Sequence, residues 1–254
     1  MPKAVEEAPD KRPLHERIAT DLRRQILAGD RAPGSNLPTT KELKDRFEAS
    51  NATIQKALGM LKAEGLIVGR PGSAVQVRPH RRWTIRPAAS SQPAESGQRY
   101  RWLAEAERQG RRAQSRLLSV GEVKPPVDVR AALGLDDNGV AVLRAQLLTL
   151  DDEPAELVKN YYPVELARGT ALVVNRKIKG GSSTLLAEMG FPPRRTVDRV
   201  TAEEPTQEEF EALELPNPLP VLHTFRIVYS DDDRPIEVTT MAKAGHLYEV
   251  QYEF

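Results

Sequence analysis

The chemistry this chain can do is concentrated in two groups of residues. The first lies between residues 39 and 72. Asn51, Gln55 and Lys56 share the outward stripe of an expected helix with Ala52, Gly59 and Lys62, because Ile54, Ala57, Leu58 and Leu61 claim the inward one. Asn and Gln side chains suit bidentate bonds to adenine, and Lys56 suits guanine or phosphate. Thr39 with Lys41, and Ser50 with Thr53, stand where expected helices begin, where free backbone amides favour an anion. Arg70 and Gly72 occupy a tight turn fit to approach a minor groove. On an ordinary solvated surface each of these residues would be unremarked; their order along the chain makes a reading surface for double-stranded DNA.

The second group repeats. Asp151-Asp152-Glu153-Pro154-Ala155-Glu156 and Asp232-Asp233-Arg234-Pro235-Ile236-Glu237 both read Asp-Asp-x-Pro-x-Glu between apolar runs. The aspartates predict a hairpin turn and Pro the start of the returning strand, so Glu156 and Glu237 fall at equivalent places. The two carboxylates either converge on one pocket or face water from strand edges. Ser182, Ser183 and Thr184 offer hydroxyls at a helix start, as an anion site or as a simple cap. His15, His80, His223 and His246 have no metal-ligand spacing, and there is no nucleophile motif and no glycine-rich nucleotide loop. No cofactor is expected.

The elements that must position these groups follow from periodicity. Residues 1–12 are expected to be a disordered tail. Leu14, Ile18, Leu22 and Ile26 predict a first helix ending near Gly29. Thr39 to Glu42 reads as a capping box opening a second helix, and Ser50 caps a third that closes at Gly65. Leu66-Ile67-Val68 and Ala74-Val75-Gln76-Val77 around the Gly69 to Gly72 turn predict a two-stranded wing. The DNA-binding domain is thus expected over 13–78. Residues 79–97, without a sustained period, are expected to be a linker, although Trp83 and Ile85 are able to pack on one domain. Over 98–254, strands near 116–124, 139–150, 155–162, 195–203, 219–230, 235–244 and 247–253 alternate with short helices. Short acidic turns favour antiparallel pairing, so the fold class is α+β.

Charge and composition agree with a two-part chain. Of its 254 residues, the first 86 hold 17 Lys+Arg against 10 Asp+Glu, whereas the remainder holds 20 against 26. A basic module that meets a polyanion is joined to an acidic one with another task. The absence of cysteine removes disulfides and thiolate metal sites from consideration, and no apolar run approaches the length of a membrane span. The expected setting is cytoplasmic, with no membrane partner.

The run Pro13-Leu14, Gln25 to Gly29, Pro33 to Pro38, Lys41-Glu42-Leu43, Ser50, Thr53-Ile54, Ala57-Leu58, Leu61, Glu64-Gly65-Leu66 and Gly72 resembles the GntR-family DNA-binding domain. That family commonly carries arginine where this chain has Asn51 and Gln55, which implies a different operator. The strand, acidic turn with Pro and Tyr161-Tyr162-Pro163 over 98–254 resemble the UTRA effector domain of HutC-type members, which is similar to chorismate lyase in fold. The resemblance implies that Glu156 and Glu237 face a ligand, with Arg144, Gln146, Tyr161, Ser182 and Ser183 around it. Members that bind sugar phosphates place two arginines where this chain has Gln146 and Leu148, with Arg144 nearby, so a phosphorylated sugar is not the implied effector. The expected function is a homodimeric transcriptional repressor released by a small-molecule effector. The alternatives are a regulator without ligand response and a chorismate-lyase-like enzyme.

Overall fold

The computed structural model describes residues 10–69, 74–78, 83–86, 101–215 and 219–252, with the side chain of residue 101 excepted. The chain divides into two compact units, residues 1–82 and 83–254. Most of the expected tail, the expected turn residues Arg70 and Gly72, and residues 79–82 and 87–97 of the expected linker lie outside the described residues.

In the first unit, helix α1 (Leu14–Leu27) starts after Pro13 and buries Ile18, Ala19 and Leu22. Helix α2 (Thr40–Phe47) opens on the expected capping box, with Thr39 and Glu42 each satisfying the other's amide. It ends at Glu48, whose left-handed φ of 47° turns the chain sharply. Ser50 then caps α3 (Asn51–Ala63), which buries Ile54, Ala57, Leu58 and Leu61. Those side chains meet Leu22, Leu37 and Leu43 in one core, to which Ile67 of β1 (Ile67–Val68) and Val77 of β2 (Gln76–Val77) add the wing. Arg23 of α1 donates to Glu64 after α3 (Nε to Oε2, 2.6 Å), fixing the ends of the two helices against each other.

The second unit begins earlier than the sequence suggested. Residues Trp83–Ile85, inside the stretch read as linker, form strand β3 and pair in parallel with β10 (Tyr248–Val250). The cause is Trp83. It is 3% exposed and its ring stacks edge-on to Trp102 at 4.8 Å, beside Tyr248. Helix α4 (Arg101–Arg108) carries Trp102.

The rest of the unit is a six-stranded antiparallel sheet in the order β4-β5-β6-β9-β8-β7. Its strands are β4 (Ala113–Val123), β5 (Ala141–Leu150), β6 (Glu153–Pro163), β7 (Arg195–Glu203), β8 (Val221–Tyr229) and β9 (Pro235–Ala244). Helix α5 (Val127–Leu133) joins β4 to β5, and α8 (Gln207–Ala212) joins β7 to β8. Each half is therefore strand, helix, strand, hairpin, strand. The halves meet where β6 pairs with β9 in a register running from Glu156↔Lys243 to Tyr161↔Val238, an internal two-fold passing through Lys159↔Thr240. Under it Glu156 and Glu237 are equivalent, as are Tyr162 and Lys243.

The repeated acidic motif forms the two hairpin turns at matching ends of the halves. Asp151, Asp152, Asp232 and Asp233 all have positive φ, a conformation that Asp tolerates better than most residues. Each turn is braced by a pair of arginines leading into the edge strand: Arg111 and Arg112 hold Asp151 and Asp152, and Arg194 and Arg195 hold Asp231 and Asp233.

One sheet face buries Tyr161 and Val238 against Val129 and Leu133 of α5. On the other, Tyr162, Val228 and Ile236 pack with Val164 and Leu166 of α6 (Val164–Ala167), Leu172, and Leu186 of α7 (Ser182–Glu188).

Candidate functional site

In the first unit, every residue assigned to the outward stripe of α3 is exposed: Asn51, Ala52, Gln55, Lys56, Gly59 and Lys62. Gln55 lies near α2, its Nε2 3.5 Å from Thr40 Oγ1, and Lys62 Nζ lies 3.4 Å from the carbonyl of Gly69 at the wing. Thr39, Lys41 and Ser50 are also exposed, and Thr53 is half-buried. The Thr39 hydroxyl is engaged with Glu42, and the Ser50 hydroxyl accepts from the amide of Thr53. These two hydroxyls are helix caps first, and what they offer an anion is the exposed start of a helix.

The second unit holds a cavity of about 460 Å³ on the sheet face that carries Tyr162. Alternate residues of the strands line it: Ser115 and Leu117 from β4, Arg144 and Gln146 from β5, Val158, Asn160 and Tyr162 from β6, Arg226 from β8, and Glu237, Thr239 and Met241 from β9. The segment from Lys177 to Ser183 closes one side and Leu103 of α4 contributes from another.

Of the residues expected around a ligand, Arg144, Gln146, Ser182, Ser183 and Glu237 are brought together here, and two are not. Tyr161 points to the opposite sheet face, 4% exposed against α5; its neighbour Tyr162 takes the cavity position, since one step along a strand changes face. Glu156 is on the cavity face but beyond the cavity's end. It is almost fully buried, accepts from Trp102 Nε1 at 2.9 Å, and stands opposite Lys243 in the strand register. The two glutamates are therefore equivalent in the sheet without converging on one pocket.

Arg144 lines the cavity but its hydrogen bonds go elsewhere. Nη1 donates to the carbonyls of Leu172 (2.8 Å) and Val174 (3.0 Å), with Ala171 at 3.4 Å, and Nη2 to that of Arg176 (2.8 Å). Burial pushes its pKa below the usual arginine value, an effect the nearby Tyr162 partly offsets. It clamps the segment that leads into the cavity wall. Arg226 is held by Asp198 through two bonds of 2.7 Å, and Gln146 Oε1 accepts from Ser115 Oγ at 3.0 Å.

Glu237 accepts from two hydroxyls, Ser182 Oγ at 3.1 Å and Thr239 Oγ1 at 2.8 Å. Among the described residues it has no ion pair. Beside it Tyr162 is fully buried with its hydroxyl in hydrogen-bond geometry with no group of the described residues. Burial, and then the charge of Glu237, hold that phenol well above its ordinary pKa, so it stays protonated. Sequence reasoning missed Tyr162, Asn160 and Thr239. The signal was present: stepping by two from Glu237 reaches Thr239, and from Glu156 reaches Asn160 and Tyr162.

An exposed recognition helix with a wing, followed by a sheet domain with a cavity lined by polar and apolar side chains, defines the class of DNA-binding regulators with a separate ligand-sensing domain. Comparison with known proteins gives the family. The model of the bacterial regulatory proteins of the gntR family matches residues 14–77, and that of the UTRA domain matches residues 108–249. The chain belongs to the gntR-family regulators that carry a UTRA domain. It is 27% identical to the uncharacterised HTH-type transcriptional regulator SCO4628 of Streptomyces coelicolor over 252 residues, covering 96% of this chain and 93% of that one. It resembles in fold a crystal structure of a GntR-family transcriptional regulator, with a TM-score of 0.65 at 19% identity over 96% of this chain and 98% of that one. PhnF from Mycobacterium smegmatis gives a TM-score of 0.56 at 22% identity over 93% and 98%. These relatives are transcriptional regulators, not enzymes, and this chain is a DNA-binding transcriptional regulator. Among the described residues no helix is long and apolar enough to cross a membrane.

Proposed function

We propose that this chain is a cytoplasmic, homodimeric repressor that reads a two-fold operator through α3 and releases it when a small molecule fills the cavity of the second unit. The observation that carries the ligand response is the cavity itself: a buried carboxylate and a buried phenol line a space large enough for a metabolite. A polar interior of this kind is stabilised by an occupant that satisfies those groups. Release requires that the ligand bind the off-DNA arrangement of the dimer more tightly than the on-DNA one, since only differential affinity shifts the balance.

Thr39, Lys41, Ser50 and Thr53 fix the register on phosphates. Asn51, Gln55 and Lys56 address bases, and Arg70 and Gly72 approach the minor groove. Around the ligand we place Gln146, Ser182, Ser183 and Glu237, with Tyr162 in the position first assigned to Tyr161. Arg144 shapes the wall.

An electrophoretic shift on the DNA upstream of the protein's own gene, with competitor DNA and with Gln55→Ala, tests the DNA half. The expected result is a specific complex that this substitution weakens. A complex that is equally strong on any sequence and merely salt-sensitive would remove the operator reading.

A further inference from the structure

The internal two-fold of the sheet permits a comparison between its own halves. Glu156 and Glu237 are equivalent, and across the central strand pair each faces the residue equivalent to the other's partner. Lys243 stands opposite Glu156; one residue beyond the paired register, Tyr162 stands opposite Glu237. Around Glu156 the chain places a cation within reach of its charge: Lys243 stands opposite it in the register without forming an ion pair with it. Lys243 is buried and its ammonium donates to Thr224 Oγ1 at 3.0 Å, while Glu156 accepts from Trp102 and has the Tyr248 phenol close by.

Around Glu237 the lysine is replaced by tyrosine and the space is open. The carboxylate is 6% exposed, yet it receives only neutral hydroxyls. The cations that share the cavity are otherwise placed: Arg144 on backbone carbonyls, Arg226 on Asp198, and Lys177 and Lys179 exposed on the closing segment. A buried charge without a counter-charge is costly. The fully buried Tyr162 phenol lines the same cavity beside Glu237 and adds a second polar group at this spot.

We propose that the cavity takes a ligand bearing a protonated amine, whose ammonium sits against Glu237 and the Tyr162 hydroxyl, in the half of the sheet where tyrosine stands at the position equivalent to Lys243. An ammonium has three donors and no acceptor, which matches two carboxylate oxygens and a phenol oxygen. The inference rests on the reading of the cavity as an effector site and adds the chemical class of the effector.

Matched probes test it. Melting of the intact protein is followed with glucosamine against glucose, putrescine against 1,4-butanediol, and phenethylamine against 2-phenylethanol, with glucose 6-phosphate as an anionic probe. At least one amine is expected to raise Tm where its matched alcohol does not. Glu237→Gln is expected to weaken that amine about tenfold or more, and to melt no lower than the unsubstituted protein without additive, because it removes the uncompensated charge. The amine class is overturned if no amine shifts Tm, if amine and alcohol act alike, if the shift survives Glu237→Gln, or if that variant melts lower without additive. Stabilisation by glucose 6-phosphate without any amine response would overturn the amine class while supporting the effector reading. Failure of every probe, with an operator complex indifferent to all of them, counts against both.

Discussion

Arg144 shows how a residue in the right place serves a different end. Its resemblance-based role was ligand contact, and it does line the cavity, but its guanidinium is engaged by backbone carbonyls from Leu172 to Arg176. Arg144→Met leaves those acceptors and their segment unsupported, and is expected to destabilise the second unit by at least about 3 kcal/mol in urea denaturation. Two substitutions in the first unit separate reading from attraction. Gln55→Ala should cost about 1–3 kcal/mol on the operator and relax preference at one base position, whereas Lys41→Ala should reduce the salt slope by about 1 without changing preference. Filter binding across a salt series measures both. Residue types were legible in the sequence wherever a motif held them, as with Glu237. The face of a strand was not: Tyr161 and Tyr162 are adjacent and alike in type, and only the pairing of β6 with β5 and β9 decides which of them enters the cavity.

Elements were more legible than their contacts. The helix stripes, both N-caps of the DNA-binding unit and the acidic hairpins follow from spacing alone, because each is decided within a few residues. Strand β3 did not follow, since three residues carry no period and its hydrogen bonds go to residues more than 160 positions away. The order of the sheet, which sets the two-fold and hence the contrast between Glu156 and Glu237, is likewise a long-range property. One local feature opposes its own sequence. The turn between α2 and α3 places Glu48 at a left-handed φ of 47° where glycine is the usual residue. Glu48→Gly is expected to raise the stability of the first unit by about 0.5–1 kcal/mol, read as an upward shift of its melting transition. An unchanged or lowered transition would mean that the Glu48 side chain contributes more than its backbone costs.

For the whole molecule, the near-neutral total charge conceals a basic reading unit and an acidic sensing one. Attraction to DNA should therefore arise in the first unit alone, and a dimer reading two half-sites should be sensitive to their helical phase. Inserting about five base pairs between half-sites is expected to abolish the specific complex, and inserting about ten to restore part of it; equal binding at both spacings would point to independent monomers. The ladder between β3 and β10 ties down the start of the second unit. The chain enters the sensing unit at Trp83 and is at once buckled to residues 248–250. Unbuckled, residues 83–86 would add roughly 13 Å of slack to the tether of each reading head. In the proposed dimer, the length of free chain between each reading head and its sensing unit therefore depends on whether these three residue pairs are formed.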